Sequence, residues 1–145
     1  MALDRYIAAL DVGTKTIGIA RCAVGTTLAH PQFTLARKGV KTDVRHMMDV
    51  FQQWGKVTAV VVGLPYELDG GEGRSARLAR QIGEALAERG HTVHYQDERF
   101  STVEASHRLY AGGVNSRGQR DVIDQVAAAV ILEDWLSAQA KADRP

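Results

Sequence analysis

The sequence predicts an α/β protein built on a mixed five-stranded sheet. Apolar residues first alternate along the chain, as strands require, and from Thr42 onward helical periods alternate with short β-branched runs. Early strands joined by short turns pair antiparallel, whereas strands separated by a helix add in parallel. The expected order is therefore β-β-β-α-β-α-β-α-α, with three antiparallel strands, two parallel additions and helices on the faces of the sheet.

Each strand has its own signal. The first is an apolar run, the second alternates isoleucine with small residues, and the third follows Pro31. The fourth is almost entirely β-branched, which is typical of a strand covered on both faces. The expected strands are residues 5–12, 16–23, 32–37, 57–63 and 92–96.

The helices are marked by apolar spacing and by their ends. The first two carry apolar residues three and four apart and stop at Gly55 and Gly90. The third opens at a capping box, Ser101-Thr-Val-Glu104, and breaks at Gly112-Gly113. The last is apolar nearly all round, so it should be buried against the sheet. The expected helices are residues 42–54, 74–89, a segment starting at 101, and 120–138.

Composition indicates one ordinary globular domain. The 145 residues are 45% hydrophobic and 24% charged, with a net charge of +1 that favours no partner. We expect a single domain over residues 1–139 and a short polar tail over 140–145. Cys22 is the only cysteine, which excludes an intrachain disulfide and a cysteine zinc site. No segment has the pattern of a membrane span or a signal peptide, so we expect a cytoplasmic protein with no membrane partner.

Three carboxylates are placed where chemistry is expected. Asp11 ends the first strand, Glu98 follows the fifth strand, and Asp124 shares a face of the last helix with Ala128 and Ile131. A charge at the end of a buried strand needs a partner, and these three can meet at one edge of the sheet. Carboxylate oxygens suit Mg²⁺ or Mn²⁺ rather than zinc, and two such ions about 4 Å apart can clamp an in-line phosphoryl displacement.

Simpler interpretations of the same residues stay open. Asp11 can cap the turn before Gly13, and Glu98 can be a solvated strand end paired with Arg99. Asp124 and Asp121 can serve only the positive end of the helix dipole.

Basic residues near the same edge predict contacts to phosphates. Lys15 lies beside Asp11, and Arg74 and Arg77 share a helix face with Arg80 after a glycine-rich loop. The alternative is a solvated turn and a solvated helix face. The expected nucleic-acid contacts are Lys15, Arg74, Arg77, Arg99, Arg117 and Arg120.

Motifs in order along almost the whole chain carry a family resemblance. They are Asp11-x-Gly13-x-Lys15-x-x-Gly18-x-Ala20, Gly63-Leu64-Pro65, Asp69-Gly70, Asp97-Glu98-Arg99-x-Ser101-Thr102 and Asp124-x-x-Ala127-Ala128-x-x-Ile131-Leu132. Together they resemble the YqgF/RuvX family of bacterial RNase H-like nucleases, which is related in fold to the RuvC resolvase.

The resemblance implies an RNase H-like fold, metal-dependent nuclease chemistry and a catalytic, metal-binding set matching Asp11, Glu98 and Asp124. RuvC-type sites carry a further acidic residue one turn away on the last helix, a role that Asp121 can fill. The family also implies two roles: maturation of the 5′ end of 16S ribosomal RNA and resolution of Holliday junctions.

The sequence therefore predicts a Mg²⁺- or Mn²⁺-dependent nuclease that cleaves phosphodiester bonds in structured RNA or branched DNA, foremost in 5′-end maturation of pre-16S rRNA. Holliday junction resolution, and a non-catalytic module that binds RNA or a transcription complex, are the alternatives. Asp11-x-Gly13-Thr14 also resembles a phosphate motif of actin-like ATPases and sugar kinases, but those proteins need two such domains. A homodimer stays open.

Overall fold

A computed structural model describes residues 4–65, 73–98 and 116–142 of the chain, with side chains of the last range described from Val122 onward. Its elements are β1 (Arg5–Val12), β2 (Thr16–Ala23), β3 (His30–Ala36), α1 (Val40–Trp54), β4 (Lys56–Leu64), α2 (Arg74–Glu88), β5 (Val93–Asp97) and α3 (Ser116–Ala142).

The strands form one five-stranded sheet in the order β3-β2-β1-β4-β5. β2 is antiparallel to both β1 and β3, while β4 is parallel to β1 and to β5. The predicted fold class, three antiparallel strands followed by parallel additions, is therefore confirmed. Because β1, β4 and β5 run the same way, their carboxyl ends lie at one edge of the sheet.

Alternation along the strands divides the core into two layers. Leu10, Ile17 and Val62 belong to the layer that packs against α1 and α2. Ala9 and Val61, each one residue away from a member of the first layer, belong to the layer under α3. Since successive side chains point to opposite faces, Asp11 falls on the α3 face with Ala9.

Small residues allow α3 to lie close to the sheet. Ala128 and Ala129 are buried together with Ala9 and Ala20 of the strands, and Ile131 and Leu132 complete this layer. The prediction that the alanines of the last helix allow close helix–sheet packing is confirmed.

Several boundaries differ from the expected ones. β3 begins at His30, two residues early, because its pairing with β2 extends to Arg21. The last helix covers Ser116–Ala142, so residues 140–142, expected in the polar tail, are helical. The helix expected to open at Ser101 lies outside the described residues. Among the helices that are described, none combines the length and apolar character needed to cross a bilayer.

Candidate active site

Asp11 lies near the carboxyl end of β1, directly opposite Gly18 of β2. Because side chains alternate along β1, the carboxyl group of Asp11 points toward α3. The residue is only partly exposed to solvent. The charge that ends the apolar run of β1 therefore lies under α3.

Asp124 is brought to Asp11 by a glycine. A Cβ atom added to Gly18 would lie 1.9 Å from the carbonyl oxygen of Asp124 and 2.9 Å from its Cβ. Only a residue without a side chain therefore lets the first turns of α3 rest on β2 beside Asp11. The nearby charge of Asp124 raises the pKa of Asp11.

Glu98 reaches the same place from the other side of Asp11. Its amide donates to the carbonyl of Leu64 at 3.1 Å, which continues the β4–β5 pairing past Asp97. A Cβ on Gly63 would lie 2.8 Å from the carboxyl carbon of Glu98, so the side chain lies over β4 at this glycine. Glu98 is 7% exposed and is hydrogen-bonded to Asp11. The three carboxylates predicted from sequence thus meet at one edge of the sheet.

The electrostatics of the cluster are those of crowded acids. Burial, and then the nearby charge of Asp124, raise the pKa of Asp11 from 3.8 to about 7, with the Glu98 hydrogen bond partly opposing them. A hydrogen bond between two carboxyl groups needs a proton on one of them. Below about pH 7 Asp11 therefore favours its neutral, protonated form, and binding of a cation would favour the charged form.

The donor set fits a hard divalent cation, since it consists of carboxylate oxygens without a thiolate. In the part of the chain that the structure describes, no three His, Cys, Asp or Glu side chains are already arranged around a common ion position. Instead, Asp11 is bonded to Glu98 and Asp124 to a hydroxyl. Binding of a cation would favour deprotonation of Asp11, and it would relieve the repulsion between Asp11 and Asp124.

Thr16 is a site residue that the sequence analysis missed. Its hydroxyl donates to Oδ2 of Asp124 at 2.6 Å, joining the start of β2 to α3. A threonine two residues before a strand glycine carries no distinctive signal. Gly18 and Gly63 did carry one, because an isolated glycine within a strand often marks a close approach of another chain segment.

A second missed feature supports the β1–β2 turn. Arg37, just after β3, donates from Nη1 to the carbonyl of Gly13 at 3.1 Å and from Nε to Oδ2 of Asp43 at 3.0 Å. Asp43, in the first turn of α1, is 1% exposed. A buried ion pair therefore lies directly behind the turn that follows Asp11.

The predicted basic residues are only partly described. Lys15 is exposed on the β1–β2 turn, and Arg74 and Arg77 are exposed at the start of α2, at the carboxyl edge of the sheet. α2 packs on the face opposite α3, so these arginines lie at the same edge of the sheet as the carboxylates but on its other side. Arg80 does not follow the solvated-face interpretation, since its guanidinium stacks 5.1 Å from the ring centre of Tyr95.

Other predicted site residues stay predictions. Arg99 lies outside the described residues. Arg117, Arg120 and Asp121 fall within the first turns of α3, but their side chains are not described.

Known proteins resemble this chain over most of its length. Residues 5–138 match the family model described as "RuvX: Holliday junction resolvase". A Myxococcus xanthus protein named "Putative pre-16S rRNA nuclease" is 43% identical over 136 residues, which cover 92% of this chain and 89% of that protein. An Anaeromyxobacter dehalogenans protein of the same name is 42% identical over 132 residues, with 90% and 96% covered.

Solved structures agree on the fold. RuvC of Thermus thermophilus superimposes with a TM-score of 0.54 at 16% identity, covering 94% of this chain and 96% of RuvC. RuvC in complex with a Holliday junction substrate gives a TM-score of 0.53 at 19% identity. These likenesses confirm the RNase H-like fold, and the family match confirms the resemblance stated from the motifs: the chain belongs to the RuvX family.

Proposed function

We propose that this protein is a divalent-metal-dependent nuclease that acts on structured RNA, in maturation of the 5′ end of pre-16S rRNA. The convergence of Asp11, Glu98 and Asp124 on the α3 face at the carboxyl edge of the sheet carries the proposal. Relatives named for a pre-16S rRNA nuclease support this choice of substrate. With this substrate, the protein would act in the cytoplasm.

Asp11, Glu98 and Asp124 would hold Mg²⁺ or Mn²⁺, with Asp121 as a further candidate. When bound, the metal supplies positive charge that favours deprotonation of a water and stabilises the leaving oxygen; a two-ion form of this chemistry is the finer part of the proposal. The chain itself supplies orientation, since Thr16 fixes Oδ2 of Asp124 and the backbone contact at Gly18 fixes the helix. Lys15, Arg74 and Arg77 would hold phosphates beside the cluster, joined by Arg99, Arg117 and Arg120.

Holliday junction resolution is the second candidate, and the description of the matched family favours it. Both substrates present a phosphodiester to the same carboxylates, so they differ in what the surrounding basic residues accommodate. A four-way junction is also a natural substrate for two copies of a nuclease, which makes a homodimer part of this alternative.

One experiment compares the candidates. Purified protein with Mn²⁺ or Mg²⁺ is offered a precursor 16S rRNA fragment, a four-way DNA junction and a linear DNA duplex side by side. We expect cleavage of the precursor RNA, none in excess EDTA, and little with Ca²⁺, whose looser coordination fits in-line displacement poorly.

The matched controls are Asp11→Asn and Asp124→Asn, which keep side-chain size and remove the charge. Each should abolish cleavage while leaving the far-ultraviolet circular dichroism spectrum unchanged. Full activity in EDTA, or wild-type rates in both variants, would remove the carboxylates from the reaction. Binding of the RNA without cleavage under every metal condition would favour the non-catalytic module.

A further inference from the structure

We propose that Arg37 is a positioning residue for the carboxylate cluster: through the carbonyl of Gly13 it fixes the turn that carries Asp11 at one end and Thr16 at the other. The inference deepens the proposed function and rests on it where the cleavage reaction is concerned. Its structural part, the fixing of the turn, can be measured without any substrate.

Arg37 donates two hydrogen bonds to this turn. Its Nη1 donates to the carbonyl of Gly13 at 3.1 Å, and its backbone amide donates to the carbonyl of Lys15 at 2.9 Å. The turn itself is closed by the Gly13 amide, which donates to the carbonyl of Thr16 at 2.8 Å. Arg37, which directly follows β3, therefore donates to two carbonyl groups of the turn.

Asp43 fixes the guanidinium in turn. Its carboxylate accepts Nε of Arg37 at 3.0 Å and the backbone amide of Lys38 at 2.9 Å. The Arg37 side chain is 10% exposed and that of Asp43 is 1% exposed. A buried guanidinium with a fixed partner is a rigid donor, because its planar fork has little freedom to reorient.

The turn needs such support because of its backbone. Tight two-residue hairpin turns match the twist of their strands when the loop residues adopt positive φ, usually at Asn or Gly. Here the loop residues are Thr14 and Lys15, and neither has a positive φ. The hydrogen bond from Arg37 to the carbonyl of Gly13 therefore stabilises a turn that lacks the favoured backbone conformation.

Movement of this turn would reach the cluster by two routes. Asp11 lies two residues before Gly13 on β1, and Thr16 begins β2 and holds Oδ2 of Asp124. A shift of the turn would therefore change the separation of Asp11 and Asp124 without any change in either residue.

The variant that isolates this role is Arg37→Lys, which keeps a positive charge beside Asp43 but cannot donate toward Asp43 and Gly13 in two fixed directions. Hydrogen exchange of the Gly13 amide should accelerate about tenfold, as expected for loss of one charged hydrogen bond. The Val24 amide, which donates to Arg5 at the opposite end of the same hairpin, is the internal reference and should not change. In cleavage of precursor RNA, kcat should fall about tenfold while KM stays within about twofold.

Arg21→Met is the matched control. Arg21 lies at the other end of β2, with its guanidinium 4.4 Å from the ring centre of Tyr6 and 4.8 Å from that of Trp54. The Arg21→Met substitution should lower Tm without changing the exchange rate of the Gly13 amide or kcat. Arg37→Met is the stronger variant, and if it fails to fold, Arg37→Lys alone decides.

The outcomes separate the inference from the proposed function. Unchanged Gly13 exchange in Arg37→Lys overturns the inference, as does a rise in KM with unchanged kcat, which would make Arg37 a phosphate contact. If the wild-type protein cleaves none of the substrates, the proposed function fails. The exchange comparison would then still decide whether Arg37 fixes the turn.

Discussion

The hydroxyl of Thr16 donates a 2.6 Å hydrogen bond to Oδ2 of Asp124, a residue 108 positions later in the chain. The bond joins the first residue of β2 to the only helix on that face of the sheet among the described elements. It occupies one oxygen of a carboxylate whose charge acts on Asp11. The orientation of Asp124 is therefore set by the hairpin that also carries Asp11, so the two carboxylates are positioned as a unit.

Thr16→Val should slow cleavage while the protein still folds. Valine keeps the branched shape and removes the hydroxyl that donates to Oδ2 of Asp124, so that oxygen loses its fixed partner on β2. Loss of a hydrogen bond to a charged group is worth about 1.5–3 kcal/mol, so single-turnover cleavage should slow about 10- to 150-fold. Thr16→Ser keeps the hydroxyl and should stay within about threefold of wild type. Equal loss in both variants would show that packing of the side chain, rather than its hydroxyl, matters.

Gly18→Ala should destabilise the protein strongly. The added Cβ would lie 1.9 Å from the backbone oxygen of Asp124, and a helix backbone cannot yield as a flexible side chain can. Overpacking of a rigid contact typically costs about 1–3 kcal/mol, and this contact should reach the upper end or exceed it. Urea unfolding followed by circular dichroism measures the loss.

Gly90→Ala is the matched control for that substitution. Its φ of 98° is strained for alanine, but nothing lies within 4 Å of the added Cβ. The expected cost is about 1 kcal/mol, from backbone strain alone. If Gly18→Ala cost no more than Gly90→Ala, α3 would not rest on β2 at this glycine.

Sequence reasoning succeeded where a residue's position along an element decides what it does. The end of an apolar strand at Asp11 and the face shared by Asp124, Ala128 and Ile131 both follow from periodicity, and both carboxylates lie where it put them. The motifs, taken in their order along the chain, then indicated the family.

Sequence reasoning failed where function depends on contacts between distant segments of the chain. Arg37 and Asp43 sit six residues apart in a loop and a helix start, a spacing shared by many surface pairs, and only the folded chain buries them against Gly13. Thr16 likewise becomes significant only through α3. The same limit applies to Arg80, whose stacking on Tyr95 depends on how α2 packs over β5.

The metal-free protein should lose stability as pH rises, because Asp11 has a pKa of about 7 when folded and an ordinary value of 3.8. Between these values the unfolded chain releases the proton while the folded protein retains it, which favours unfolding. The penalty builds up from about pH 4 and is complete above about pH 7. Asp11→Asn does not ionise, so its Tm should exceed that of wild type at pH 8 and match it near pH 4.

This difference is measured by differential scanning fluorimetry in EDTA across pH 4–8. Asp49→Asn, an exposed carboxylate on α1, is the control and should not show the same trend. Millimolar Mg²⁺ at pH 8 should raise the Tm of wild type more than that of Asp11→Asn, since a cation relieves the repulsion with Asp124. A difference in Tm that does not change with pH would contradict the raised pKa of Asp11.

Replacing Arg74 and Arg77 together by alanine should weaken RNA binding without abolishing the reaction. Both are exposed at the start of α2, at the carboxyl edge of the sheet and on the layer opposite the carboxylates, so they can hold phosphates but not the reacting group. Each lost phosphate contact should reduce the slope of log affinity against log salt by about 0.7–0.9. Binding is measured on the Asp11→Asn background at 50–300 mM salt, and cleavage at saturating substrate on the wild-type background.

The comparison requires a variant that loses the same charge elsewhere. Arg89→Ala with Lys56→Ala removes two exposed cations from the opposite edge of the sheet, at the end of α2 and the start of β4. A general effect of net charge would flatten the salt slope equally in both double variants. A local phosphate track would flatten it only for Arg74 and Arg77, and cleavage at saturating RNA would persist because the carboxylates are untouched. An unchanged slope in the Arg74 and Arg77 variant would return these residues to a solvated helix face and leave Lys15, Arg99, Arg117 and Arg120 as the remaining candidates for binding.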